Sequence, residues 1–331
     1  MSEKLMKRGA VQGRWLFWFL VPIVLPCAVL SQGVPQPDQA GSYAIRTSVD
    51  LVVLQATVRD RKGAPVSGLN QENFQVYEDK VPQQIESFSH EDAPVVIGLV
   101  MDNSGSMRPK RADVIAAAKA FVRSSNPADQ IFVVNFNEHV SMGLPAGMPF
   151  TNDAGQLEAA LSNHATTGRT ALYDAIAAAL EQLQKGKWDK KALIVVSDGG
   201  DDASKYKLPQ IMSMVNQSNA LIYTMGIFDD SDDDRNPHVL KELSHASGGE
   251  AYFPETLQQI LPMCEQIARD IRSQYTISFV PTHKKQDGTY RTLDVKAHEP
   301  SGGRRLFVST RAGYSAPSNL RSSGSVSDNR P

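Results

Sequence analysis

The chain has 331 residues, 41% apolar and 21% charged, with a formal net charge of −2. This balance describes a globular chain of one large or two ordinary domains and excludes a disordered one. The charge excludes the basic surface that nucleic acid requires. The two cysteines, Cys27 and Cys264, exclude a disulfide scaffold, so stability must come from an apolar core.

Lys4, Lys7, Arg8 and Arg14 precede an apolar run from Trp15 to Leu30, and the polar segment SQGVPQPDQ follows. This pattern predicts a signal peptide over residues 1–32, cleaved near Ser31 to Gly33. The 16-residue run is shorter than the ~20 residues of a spanning helix and is broken by Pro22 and Pro26. Pro26 also stands where a bacterial lipobox has Gly or Ala before its cysteine. The expectation is therefore an exported chain, periplasmic or extracellular, with no membrane span after cleavage. That chain keeps 30 basic and 35 acidic residues, a net of −5, and Cys264 alone.

Residues 43–92 read as β-rich. Val52, Leu54, Ala56 and Val58 alternate with Val53, Gln55, Thr57 and Arg59, the period of a half-buried strand. Asn70 is placed to cap one helical turn, and FQVYE and QIESF flank an EDKVP turn. So short a segment makes too small a core and needs a partner elsewhere in the chain.

From Ala93 to Arg272 apolar strands alternate with amphipathic helices, the signature of a doubly wound, mostly parallel α/β sheet. APVVIGLVMDNSGSM is a buried strand ending in Asp102, Ser104 and Ser106, and an α-helix is expected from Pro109 to Arg123. QIFVVNF, an edge strand near His139 to Gly143, helices over 156–162 and 171–184, and the strand KKALIVVS follow. The last of these ends at Asp198 with two glycines behind it. Helix 207–217, LIYTMGIF, helix 238–246, AYF and helix 257–271 complete the alternation. Residues 273–315 return to period two in YTISFVP, YRTLDVKAH and RRLFVSTRAGY. Both β-rich flanks are expected to form one β-sandwich into which the α/β domain is inserted. The tail, 316–331, lacks apolar residues and is expected to be disordered.

Ligands of open α/β sheets bind outside the carboxyl ends of the parallel strands, where Asp102 and Asp198 emerge. Three stretches, VMDNSGS, TTGRTAL and VVSDGG, resemble the three segments of the metal-ion-dependent adhesion site of von Willebrand factor A domains. The resemblance covers residues 93 to 272 and rests on Asp102, Ser104, Ser106, Thr170 and Asp198. The flanks look similar to those of exported bacterial proteins with this domain. By that resemblance Ser104 and Ser106 bind a cation directly and Thr170 does so directly or through water. Asp102 and Asp198 act mostly through water or as acceptors behind the ligands. Independently of the family, three hydroxyls and two carboxylates make an all-oxygen set, which fits Mg²⁺, with Mn²⁺ or Ca²⁺ as alternatives, and disfavours zinc. The local alternative is that Ser104 and Ser106 cap the following helix and Asp102 closes a turn.

The function expected is a non-catalytic, adhesion-type module in which the cation bridges to a carboxylate of a partner protein. Two alternatives are a metal-assisted phosphohydrolase and a structural domain with binding by the sandwich. The chain lacks a G-x-S-x-G elbow. The run DDSDDDRN (229–236), Asp201 and Asp202 read as solvated acidic loops, Asp174 as a helix-dipole residue, and Arg169 as a loop charge. Nothing in the sequence sets the oligomeric state.

Overall fold

The computed structural model describes residues 51–162, 165–228, 235–285, 287–300 and 303–317. The leader, the first residues of the 43–92 segment, Asp229 to Asp234 of the acidic run, and the tail from residue 318 lie outside the described residues. Among the described residues no helix is long and apolar enough to cross a membrane.

The first flank contains β1 (Val52–Arg59), a 3₁₀ turn (Gln71–Asn73), β2 (Phe74–Glu78), β3 (Val81–Gln83) and β4 (Ile85–Ser89). Next come β5 (Val95–Asp102), a 3₁₀ turn (Gly105–Lys110), α1 (Arg111–Ser124), β6 (Gln130–Phe136), β7 (Val140–Met142), α2 (Ala154–Ser162) and α3 (Leu172–Gln184). The α/β part continues with β8 (Lys190–Ser197), α4 (Leu208–Gln217), β9 (Leu221–Gly226), α5 (Pro237–Ser247), β10 (Ala251–Tyr252) and α6 (Ile260–Arg272). The second flank supplies β11 (Tyr275–Phe279), β12 (Tyr290–His298), β13 (Arg305–Ser309) and β14 (Gly313–Ser315).

Six strands pair in the order β10-β9-β8-β5-β6-β7, all parallel except the edge strand β7. Every residue of the central strand β5 is buried, as a strand covered on both faces requires. One group of helices, α2, α1 and α6, packs in that order, and a second group packs as α3, α4 and α5. This is the α/β, Rossmann-like arrangement that alternation predicts. One local expectation changes: the α-helix begins at Arg111, because Pro109 lies inside the 3₁₀ turn. The first turn is wound as the tighter 3₁₀ form common at helix starts, and within it Ser104 Oγ and Ser106 Oγ lie 3.1 Å apart.

Strands from both flanks pair with one another in the order β3-β2-β12-β13-β1-β11-β4, with β14 on β12. Where two facing sheets were expected, the hydrogen bonding joins all eight strands in one sheet, seven of them in a continuous path. The reason is β1, whose residues 52–56 pair with β11 and whose residues 57–59 pair with β13. A strand shared in this way makes a corner and curls the sheet over its own core. At the far ends of the path, β3 and β4 are separated only by Gln84. Leu54, Ala56, Val58, Phe74, Val76, Tyr275, Ile277 and Phe279 fill that core, with Phe74 and Tyr275 in tilted contact at 5.0 Å between ring centroids.

The curled sheet is tied to the α/β part at several places, Arg311 donating to Asn219 Oδ1 at 2.9 Å among them, and one tie is a largely buried joint. Arg59 of β1 donates to Asp270 of α6 at 2.5 Å and meets Glu250 at 2.6 Å. Tyr252 on β10 and Gln266 also donate to Asp270, at 3.0 and 2.8 Å. Only Ser273 and Gln274 separate α6 from β11, and the Gln274 amide donates to the Tyr223 hydroxyl at 3.1 Å.

Candidate metal centre

The site forms where β5 and β8 end side by side. These strands pair in parallel register, Met101 opposite Val196, so Asp102 and Asp198 leave the same edge of the sheet. The Ser104 amide donates to Asp102 Oδ1 at 2.8 Å, and the Ser197 hydroxyl donates to Asp102 Oδ2 at 2.6 Å. Ser104 Oγ lies 3.1 Å from Ser106 Oγ, which donates to Asp198 Oδ2 at 2.5 Å. The Gly200 amide completes the set on Asp198 Oδ1 at 3.0 Å. Asp102, Ser104, Ser106 and Asp198 are thus joined in one hydrogen-bonded chain. Ser104 stands at the start of the 3₁₀ turn but its side chain makes no capping bond, so its hydroxyl is not used as the local alternative requires.

Thr170 comes to the same edge through backbone bonds. Its loop is stitched to the first by Thr167 N to Asn103 O at 2.9 Å and Gly105 N to Gly168 O at 3.2 Å. It is stitched to the third by Thr170 N to Asp202 Oδ1 at 2.8 Å, and by the amides of Asp202 and Ala203 on Thr170 O, both at 3.0 Å. Gly168 permits this approach: its φ of +87 is one that L side chains rarely adopt, and a Cβ there would lie 1.6 Å from a Glu138 carboxylate oxygen. Gly199 (φ +83) does the same for the loop before α5, where a Cβ would lie 2.4 Å from Asn236 O.

Several residues take roles that single-residue reading missed. Ser197 holds Asp102. Asp202, though exposed, holds Thr170, and Asp201 accepts from Tyr173 N at 3.1 Å and Ser204 Oγ at 2.5 Å, so these acids tie loops as well as meeting solvent. Asp174 accepts the amides of Lys205 and Tyr206 at 2.9 and 3.0 Å, which exceeds a helix-dipole role. Asn103 donates to Asn135 Oδ1 at 3.0 Å. The only sequence signal was position, each standing beside a predicted site residue.

The electrostatics favour an added cation. Asp102 is 5% exposed. Burial pushes its carboxyl from the ordinary 3.8 up to about 6; hydrogen bonds from Ser104 and Ser197 oppose this, and the charge of Asp198 adds to it. Among the described residues the hydrogen-bond partners of both carboxylates are hydroxyls and backbone amides, with no basic side chain among them. An all-oxygen set with uncompensated acids fits a hard divalent ion. Among the described residues no group of three or more His, Cys, Asp and Glu side chains could hold a metal.

The family model described as "von Willebrand factor type A domain" matches residues 97–200, a span that contains all five predicted site residues. No curated protein matches the chain. Among solved structures, a von Willebrand factor type A protein from Catenulispora acidiphila shares 13% identity at a TM-score of 0.49, covering 80% of this chain and 73% of that one. Proximal thread matrix protein 1 of the mussel byssus, "with zinc occupied MIDAS motif", shares 15% at 0.49, covering 60% and 50%. The pilus adhesin SpaC from Lactobacillus rhamnosus GG shares 11% at 0.46, covering 78% and 49%. At these levels the structural likenesses carry no inference about function. The match spans β5 to β8 and includes the strand ends at Asp102 and Asp198, and it means that this chain carries a von Willebrand factor type A domain.

Proposed function

We propose that the protein is an exported, non-catalytic binding module that holds a divalent cation at Asp102, Ser104, Ser106, Thr170 and Asp198 and offers it to a carboxylate of a partner protein. The observation that carries this reading is the hydrogen-bonded chain from Asp102 through both serines to Asp198, with no basic side chain among its partners. Ser104 and Ser106 would be direct ligands, with Thr170 direct or through water and the two acids balancing charge from behind. Neutral ligands leave the ion electron-poor, and an external carboxylate then becomes its strongest available partner. Mg²⁺ is the ion proposed, with Mn²⁺ or Ca²⁺ as substitutes.

Hydrolysis is disfavoured by the same geometry. Both oxygens of Asp102 accept hydrogen bonds, and the residue is buried, so it is poorly placed as a nucleophile. Export rests on the leader pattern of residues 1–32. The organisation proposed is a type A domain over 93–272 inserted between flanks 43–92 and 273–315, which act together as one curled-sheet support.

Calorimetric titration of the chain with Mg²⁺ and Mn²⁺ tests the reading. Binding is expected for wild type, with at least a tenfold loss in Asp198→Ala and an unchanged circular dichroism spectrum. The absence of binding in wild type, or affinity unaltered in Asp102→Ala, would refute it.

A further inference from the structure

Next to the site a groove of about 840 Å³ runs along α3, between the turn that precedes β7 on one side and α4 with its preceding loop on the other. Its floor includes Ala177, Ala178 and Leu180, and Glu138, Asp174 and Glu181 outnumber the single Lys205 along it. The groove starts beside the proposed metal. Two of its lining residues bond directly to the Thr170 loop: Glu138 accepts from Arg169 N at 3.0 Å, and Ala203 N donates to Thr170 O at 3.0 Å. A groove of this volume, with an apolar floor and a few charged groups at its rim, has the form of a recognition site. Its surplus of negative charge repels acidic chains and attracts basic ones.

We propose that this groove receives the partner segment that follows the metal-bound carboxylate, and that the segment carries lysine or arginine within its next few residues. The selected ligand is therefore bipolar, with an acid for the cation and a base for the acidic groove. Small alanine side chains on α3 leave room for the backbone, and Glu181, 78% exposed and in a loose ion pair with Lys185 at 3.9 Å, can exchange that weak surface partner for the incoming base. The inference rests on the metal reading for its anchor and adds the specificity of what is anchored.

Binding of two labelled peptides to the full chain in Mg²⁺, followed by fluorescence anisotropy, tests it. The probes are Gly-Asp-Gly-Ala-Arg-Ala-Arg and Gly-Asp-Gly-Ala-Glu-Ala-Glu. The basic probe is expected to bind at least fivefold tighter. Two variants, Glu181→Lys and Ala178→Tyr, are expected to remove that preference while metal affinity and melting temperature stay at wild-type values. Equal binding of both probes, failure of both to bind, or a preference that survives in both variants would overturn the inference. A preference that persists unchanged in EDTA would also overturn the bipolar ligand, because the groove would then act without the cation. Loss of metal binding in the calorimetric titration is a separate result and would refute the metal reading itself.

Discussion

Two of the carboxylate clusters among the described residues are neutralised in opposite ways. At the joint between the curled sheet and the α/β part, Asp270 has a fully buried side chain in contact with Arg59. Burial pushes the Asp270 carboxyl up, while Arg59, Gln266 and Tyr252 pull it down. Burial works against the charge of Arg59 too, but Tyr252, Asp270 and Glu250 outweigh it and hold the guanidinium above its usual value. At the strand ends, Asp102 and Asp198 face hydroxyls and backbone amides instead. The first cluster carries its own cation and is a structural joint. The second is the cluster proposed to take a cation from outside, so the two should respond differently when an acid is removed.

The largest effect is expected at the joint. Asp270→Ala leaves Arg59 desolvated beside a single exposed acid, and removing one member of a buried pair costs about 3–5 kcal/mol. Urea unfolding should show this loss with Mg²⁺ affinity retained. If stability fell by under about 1 kcal/mol, the joint would not be the fixed ion pair described.

The strand-end cluster should behave in the reverse sense. Mg²⁺ at a hundredfold excess over its Kd should stabilise wild type by about 2.7 kcal/mol, and Asp102→Asn should lose that response while its melting temperature in EDTA does not fall. The metal-free wild type should also depend on pH. Its Asp102 carboxyl sits at about 6 when folded against an ordinary 3.8, so the unfolded chain gives up that proton more readily. The contribution to stability is therefore full below about pH 4 and lost as pH rises through about 6. Denaturant titrations of wild type and Asp102→Asn in EDTA across that window should diverge, and parallel curves would refute the assignment.

A smaller effect is expected at Ser197. Ser197→Ala removes one donor to the Asp102 carboxylate, which should cost about 1 kcal/mol of stability and at least tenfold in metal affinity. The smallest signal is kinetic. Burial, with the Glu265 charge adding to it, pushes the Cys264 thiol up to about 12, so the native protein should react slowly with alkylating reagents between pH 7 and 9. Because Cys264 and Asp270 share α6, Asp270→Ala should accelerate labelling of a Cys27→Ser chain, whereas Asp102→Asn should not.

Much of the α/β part was legible residue by residue. An unbroken apolar run such as Val95 to Met101 fits only a strand covered on both faces. The spacing of Leu172, Ile176, Leu180 and Leu183 fits one helix face. The metal candidates were legible because acids and hydroxyls on strand ends stand out against apolar strands, and because three separate stretches resemble one known site. The supporting shell was not legible. Ser197, Asp202 and Asp174 are ordinary loop and helix residues until the fold brings their partners to within hydrogen-bond distance.

Local periodicity depends only on neighbours in sequence, so the chain by itself determined which segments are strands, which are helices, and that Asp102 and Asp198 end apolar strands. Pairing between residues about 200 positions apart depends on register, corners and shared strands, and these belong to the tertiary structure. It decided that β1 would serve two partners and curl the flanks into one sheet, where alternation alone had indicated two. It also decided that Arg59, read as one more outward residue of a half-buried strand, would reach Asp270. Thr170 shows both parts: its loop and hydroxyl were visible in the sequence, but only the backbone stitches from Asn103 and Asp202 bring it to the edge where the other four residues meet.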